Sequence, residues 1–309
     1  MSRIALLSPG GLGAAIGRAL AATGHEVFCE VSGRSEQTRQ RAAEAGLVLT
    51  TSLPEVIDAC DVILSFVPPA QALSVARLVA RRRSERDILT SSSRPLYVDG
   101  NSISPLTAQD VLDALAPADV ASAKVSVFGP SDSLTIDNII VISGENAREA
   151  AALFEPLTRV KIAGDDFVAA AAVKMSMASV TKTLPVLFLE AMGAAANSSQ
   201  LELTISLFEE LYPGMLQFLR RTLPTYVHHA RRRLDEMREI ETWVDAMGGD
   251  AAITRSGRLV LERLRLEEIP AEESKNLVAL IRAALTRTAL PRDSNDAEQN
   301  IRHEIHAQA

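Results

Sequence analysis

Ile4-Ala5-Leu6-Leu7-Ser8-Pro9-Gly10-Gly11-Leu12-Gly13 opens the chain, and the alanine-rich run Ala14 to Ala22 follows it. A short apolar strand that ends in a glycine turn and passes straight into a helix leaves backbone N–H groups uncovered at the helix start, where a pyrophosphate can bind. The hexad Ser8 to Gly13 reads as G-x-G-x-x-G with serine in the first place. Gly10 would let the backbone approach a phosphate and Gly13 would let helix pack on strand, so the two essential glycine roles are filled.

Outward from that turn, Glu26 to Val31 reads as a second strand and Ser35 to Ala45 as a helix with Ser35 as N-cap, which completes a βαβ unit. Short apolar runs then recur between helical patterns at Leu47 to Leu49, Val62 to Val67, Leu96 to Asp99, Ala123 to Val127 and Ile139 to Ile142. This alternation predicts an α/β Rossmann domain with a mostly parallel sheet over residues 1–163. From Gly164 the pattern is helical to about Thr288, with polar breaks near Asn197, Pro213, Pro224, Gly248 and Pro270. An all-α domain over 164–290, reached through a long interdomain helix, is expected, and the polar residues 291–309 lack apolar periodicity and read as a disordered tail.

Composition narrows the partners. The 309 residues are 47% hydrophobic and 23% charged, enough for two cores. A net charge of −7 offers no broad basic field for nucleic acid or an anionic membrane, so a small-molecule substrate is expected. Arg81 to Pro95 reads as a helix end and a solvated surface loop. Cys29 and Cys60 fall in or beside strands and read as reduced core residues, and neither they nor the five histidines have metal-ligand spacing, so no metal is expected. The start lacks the pattern of a secretory signal, which predicts a cytoplasmic protein. The apolar stretch Phe167 to Ala196 is interrupted by Lys174, Lys182, Pro185 and Glu190 and reads as a buried helix, not a membrane span.

Beyond the glycine turn, three places could carry chemistry. At the end of the second strand, Ser32-Gly33-Arg34-Ser35 offers a guanidinium, hydroxyls and a helix N-terminus to a ribose 2′-phosphate, which favours NADP; Glu30, an acid at the expected distance, is the alternative and would bind NAD. After the Leu96–Asp99 strand, Asn101 and Ser102 lie where a polar substrate binds, while Ser104 before Pro105 reads as a helix cap. On the long helix, Lys174, Ala178, Thr181 and Lys182 share one stripe. A lysine on an otherwise apolar helix could act as a general acid and base, with Thr181 and Lys182 holding an anionic group.

Together these stretches resemble the β-hydroxyacid dehydrogenase and 6-phosphogluconate dehydrogenase superfamily, and within it the NADP-binding oxidoreductases with a 6-phosphogluconate dehydrogenase-like C-terminal domain. The resemblance rests on the glycine turn, Gly33-Arg34-Ser35, Val67-Pro68-Pro69, Asp99 to Pro105, Phe128-Gly129-Pro130, and Lys174-Met175 through Thr181-Lys182. It implies that Lys174 is the catalytic lysine, Ser102 a substrate-binding serine, Val67-Pro68 the segment beside the cofactor, and Gly129 part of the substrate site. It also implies NADPH as cofactor and a helical domain that completes a homodimer, an expectation shared by the apolar faces at Leu201 to Leu219 and Ile253 to Leu266. The chain departs from the pattern at Ser8, at Ala178 where asparagine is customary, and at Val168 and Ala170 where the approach to the lysine is usually glycine-rich. The expected activity is hydride transfer between NADP(H) and a hydroxyl or carbonyl carbon of a small polar substrate. Imine reduction, and a cofactor-binding protein without turnover, are the alternatives.

Overall fold

The computed structural model describes residues 1–85, 94–118, 120–129 and 134–287. The loop part of the basic segment, residues 86–93, together with Pro130 and the expected tail 291–309, lies outside the described residues. Contacts divide the chain into two compact units, Met1–Ala178 and Ser179–Ala309. The division falls inside the long helix, later than the change of pattern at residue 164.

The first unit is built on strands β1 (Arg3–Leu6), β2 (Glu26–Glu30), β3 (Val48–Thr50), β4 (Val62–Ser65), β5 (Leu96–Asp99), β6 (Ala121–Phe128), β7 (Ile139–Ser143) and β8 (Arg159–Ile162). Their order in the sheet is β3-β2-β1-β4-β5-β6-β7-β8. Neighbours are parallel except β6 and β7, which run antiparallel. Between the strands lie α1 (Gly11–Ala22), α2 (Glu36–Glu44), α3 (Leu53–Ala59), α4 (Ala72–Glu85), α5 (Pro105–Leu115) and α6 (Ala147–Phe154). Strand alternation feeds both faces. Ile4, Leu6, Leu64 and Val98 pack with Ala14, Ile16 and Phe154 on one side, while Ala5, Leu7, Ile63 and Tyr97 pack with Ile57, Val79 and Val111 on the other. The order reverses at β1, between β2 and β4, so the ligand crevice of an open sheet lies beyond the carboxyl end of β1.

Strand β8 was not expected. Its sequence Arg159-Val160-Lys161-Ile162 is half charged because it is an edge strand, with Arg159, Lys161 and Ile162 exposed.

Helix α7 (Ala169–Asn197) starts in the first unit and ends in the second, where α8 (Leu201–Leu211), α9 (Pro213–Ala246), α10 (Ala252–Leu264), α11 (Ala271–Ser274) and α12 (Leu277–Arg287) follow. Leu189, Met192, Leu219, Leu223, Tyr226, Met237, Leu261, Leu280 and Ile281 form the core of this unit. By length and composition α7 could cross a membrane, but Met175, Ala178, Val186, Phe188, Leu189 and Met192 along it are packed in protein cores. The break expected near Pro224 falls at His229: α9 continues through the proline and leaves helical geometry there, with φ −133° and ψ 21°.

Candidate active site

Sterics explain the glycine turn. A Cβ on Gly13 would lie 2.1 Å from the Ser8 carbonyl oxygen, so only glycine lets α1 approach the β1 turn this closely. Gly10 is different. A Cβ there would have the Ser8 hydroxyl, 3.9 Å away, as its nearest neighbour, so the protein's own packing leaves that space open. Gly10 is the N-cap of α1 and no side chain caps the helix, which leaves its first-turn N–H groups without a side-chain acceptor. Ser8 is buried, and Ser8 to Gly13 therefore form a cradle whose empty side is lined by backbone donors, the chemistry a pyrophosphate requires.

At the carboxyl end of β2, Glu30 does not stand free. Its Oε1 accepts the Ser32 backbone N–H at 2.6 Å, and the Ser32 hydroxyl donates to the Thr51 carbonyl at 3.0 Å. Gly33 has a positive φ of 67° and turns the chain into α2, where Ser35 accepts the Thr38 N–H as N-cap. Arg34, half-buried beside this turn, makes no salt bridge among the described residues, whereas Arg39 is taken by Glu36 at 2.8 Å.

The carboxyl ends of β4, β5 and β6 are tied by a buried polar network that the sequence reading missed. Lys124 and Asp99 are both completely buried and paired at 2.7 Å. The Lys124 ammonium also donates to the carbonyls of Asp99, at 3.2 Å, and Asn101, at 2.7 Å. Asp99 in turn accepts the Asn101 backbone N–H at 2.9 Å and its side-chain amide at 3.2 Å, and that amide also donates to the Ser65 hydroxyl at 3.1 Å. Asn101 is thus taken up inside the protein, 3% exposed, while Ser102 beside it is exposed. Ser104 caps α5 as expected, accepting the Thr107 N–H. Lys124 was legible in principle, as a lysine in a strand of small and apolar residues directly across from Asp99. Val67 is buried just beyond β4, and Pro68 is exposed.

The start of α7 is fixed onto the end of this sheet by two serines. Ser143 donates to the Phe167 carbonyl at 2.8 Å and accepts the Ala170 N–H at 2.9 Å, and Ser126 donates to the Ala170 carbonyl at 2.9 Å. One turn on, Lys174 reaches the carboxyl end of β6. Its ammonium donates to the Val127 carbonyl at 2.6 Å and lies 4.5 Å from the centre of the Phe128 ring. Gly129 follows with φ 115°, and a Cβ there would meet the Asn138 amide at 2.7 Å, so this glycine is required by the packing of β6 on the segment before β7. Ala178, where the resemblance expects asparagine, is buried. The first unit thus gathers Ser8 to Gly13, Ser32 to Ser35, Val67-Pro68, Asn101-Ser102 and Lys174 at the carboxyl ends of its strands.

Thr181 and Lys182 belong to the second unit. The Thr181 and Lys182 carbonyls receive the Tyr226 hydroxyl at 3.4 and 2.8 Å, and the buried Lys182 ammonium lies 3.3 Å from Glu236 of α9. Burial pushes the Lys182 pKa down, opposed by the Glu236 charge. Among the described residues no group of three His, Cys, Asp or Glu side chains could hold a metal ion.

Comparison with known proteins fits this arrangement. Residues 3–95 match the family described as NADP oxidoreductase, coenzyme F420-dependent, and residues 200–264 match a domain of unknown function, DUF1932. An uncharacterized 28.5 kDa protein of Methanothermus fervidus is 25% identical over 221 residues, 71% of this chain and 82% of that protein. The solved structure of MTH1747, a conserved protein of unknown function described as similar to 3-hydroxyacid dehydrogenases, superimposes with a TM-score of 0.70 at 25% identity, covering 89% of this chain and 99% of the other. A 3-hydroxyisobutyrate dehydrogenase of Mycobacterium tuberculosis, solved with L-serine, shares the fold with a TM-score of 0.69 at 19% identity, over 91% and 98% of the two chains.

Proposed function

We propose, because the chain belongs to the β-hydroxyacid dehydrogenase superfamily, that it is an NADP-dependent oxidoreductase acting on the hydroxyl or carbonyl carbon of a small polar substrate, with Lys174 as general acid and base. The observation that carries this reading is the placement of Lys174, an ammonium held by the Val127 carbonyl at the carboxyl end of β6, on the same edge of the sheet as the glycine cradle. When bound, the nicotinamide supplies or takes up the hydride. Ser8 to Gly13 would hold the pyrophosphate through backbone N–H groups, with Val67-Pro68 beside the cofactor.

The choice of NADP is supported by Arg34, which makes no salt bridge among the described residues, and by Glu30, whose Oε1 is occupied by the Ser32 N–H. The description of the family matched at residues 3–95 also names NADP. Ser102, exposed beside the buried Asn101, would contact the substrate, and Asn101, bonded to Asp99 and Ser65, would hold the turn that carries Ser102. The Lys174 Nζ would hold the proton that the substrate oxygen gains on reduction and loses on oxidation. Exposed Leu203, Leu207 and Leu211 on α8 and Ile253 on α10 support a homodimer through the helical unit.

The reaction class is tested with a panel of 3-hydroxy acids and cyclic imines, followed by NADPH absorbance. Turnover of a hydroxy or keto acid with NADP(H) is expected. Turnover of cyclic imines alone would replace this reading with C=N reduction, and saturable NADPH binding without turnover on the panel would replace it with a cofactor-binding protein.

A further inference from the structure

From Pro95 to Pro105 the chain is buried at every residue except Ser102. That one exposed side chain stands on a turn with little freedom. The Gly100 N–H donates to the Ser65 carbonyl at 2.9 Å, the Asn101 N–H to Asp99 Oδ1 at 2.9 Å, and the Ile103 N–H to the Asn101 carbonyl at 3.0 Å. Gly100 is also hemmed in by an aromatic ring, because a Cβ there would lie 2.1 Å from Phe66 Cε1. Phe66 borders the glycine cradle as well, its Cβ lying 3.7 Å from where a Cβ on Gly13 would stand. The cradle and the Ser102 turn therefore share one neighbour.

Two carbonyls of this turn, those of Asp99 and Asn101, accept from the Lys124 ammonium at 3.2 and 2.7 Å, and Asp99 Oδ1 takes its third N–H at 2.7 Å. A fully buried ion pair is a poor source of stability, since apolar side chains of similar volume often replace it without loss. What they cannot supply is a donor for the two carbonyls. The Asn101 amide follows the same logic. It spends both N–H groups, on Ser65 Oγ at 3.1 Å and Asp99 Oδ2 at 3.2 Å, and its buried Oδ1 accepts nothing. Turning the amide over would set that oxygen against the Asp99 carboxylate, which accepts and cannot donate. Asp99 thus fixes the direction of the amide even though one bond is left unmade.

We propose that Lys124 and Asp99 are positioning residues, which together with Asn101 hold residues 99–102 in the conformation that presents the Ser102 hydroxyl to the substrate. The role in turnover rests on the proposed function, and the hold on the turn does not.

The test is the paired variant Lys124→Met with Asp99→Leu, which removes both charges together, made in the wild-type and Ser102→Ala backgrounds. On the panel substrate that turns over, the pair should lower kcat about tenfold to a hundredfold with Ser102 present, as expected for a misplacement near 1 Å. Ser102→Ala alone should lower kcat at least as much. In that background the pair should add less than about twofold, because an absent hydroxyl cannot be misplaced. A merely structural role would lower kcat equally in both backgrounds. Hydrogen exchange gives a readout that needs no turnover: across 97–105 it should be at least about tenfold faster in the pair, with the β1 amides unchanged. A second pair, Lys124→Gln with Asp99→Asn, keeps neutral donors and acceptors and guards against the apolar pair failing to fold; its effects should have the same direction, a smaller size and the same dependence on Ser102. Unchanged exchange across 97–105, or a kcat loss that is absent or equal in the two backgrounds, would overturn the proposal. If the wild type turns over nothing on the panel, the proposed function falls, and exchange alone decides the hold of Lys124 and Asp99 on the turn.

Discussion

Lys124 in the sheet unit and Lys182 in the helical unit are both buried lysines paired with a carboxylate, yet they are built differently. Lys124 spends its three N–H donors on three oxygens at 2.7 to 3.2 Å, and its partner Asp99 has hydrogen bonds on both carboxylate oxygens. Lys182 meets one loosely held carboxylate that two arginines share. Lys124 and Asp99, each fully hydrogen-bonded, form a structural post that joins the ends of β4, β5 and β6, although Asn101 Oδ1 beside them accepts no hydrogen bond. The same residue type is thus held in two ways, by short hydrogen bonds in the sheet unit and by longer ion contacts in the helical unit.

The comparison predicts its largest effect at Lys124. Lys124→Met leaves Asp99 charged and uncompensated in a fully buried position, and a loss of about 3–5 kcal/mol is expected in urea denaturation. The double variant Lys124→Met with Asp99→Leu should recover most of that loss, because a well-packed apolar pair can replace a buried ion pair. If the double variant is as unstable as the single one, the network serves more than its own charge balance.

Lys182→Met should behave differently. Burial lowers the Lys182 pKa in the folded protein, so between that lowered value and the ordinary value of 10.5 the unfolded chain holds the extra proton. The lysine's contribution to stability therefore rises with pH across that window, being unfavourable below the lowered value and relieved on approach to the ordinary one. Lys182→Met should leave stability near neutrality within about 1 kcal/mol of wild type, since its charge is penalised by burial and its partner Glu236 keeps two arginines, and should flatten the pH slope seen in denaturation at alkaline pH. A steeper slope in the variant would reverse the contrast between the two lysines.

The smallest effect concerns the thiols of the sheet unit. Burial pushes the pKa values of Cys29 and Cys60 up to about 12, so both should resist iodoacetamide at pH 8 in the folded protein and react at once in urea. Rapid labelling of the native protein would mean that the sheet core opens more readily than its packing implies.

Much of the fold could be read from local signals. The glycine turn is legible because Gly13 answers a 2.1 Å steric demand that no other residue satisfies, and the strand runs are legible because both faces of the sheet are covered. Strand β8 was hidden by its charged edge residues, and the antiparallel pairing of β6 with β7 depends on a connection, not on composition. Pro224 carried a local signal for a break that the backbone makes one turn later, at His229.

In the candidate site, Lys174 stood out as a cation on an apolar helix, but the hydroxyls of Ser126 and Ser143 that fix that helix lie 44 and 27 residues from their backbone partners. Asn101 read as a substrate contact because it follows a strand end. Its inward turn depends on Lys124, 23 residues later. The Lys182 partner Glu236 is likewise distant in sequence, and pairings of that range leave no periodicity to read.

The proposed role of Lys174 in moving the substrate proton is decided by comparing wild type with Lys174→Ala on the panel substrate that turns over, with NADPH affinity measured in parallel by fluorescence. A fall in kcat of about a hundredfold or more is expected, with NADPH affinity unchanged. Wild-type kcat in a folded, NADPH-binding Lys174→Ala protein would contradict it.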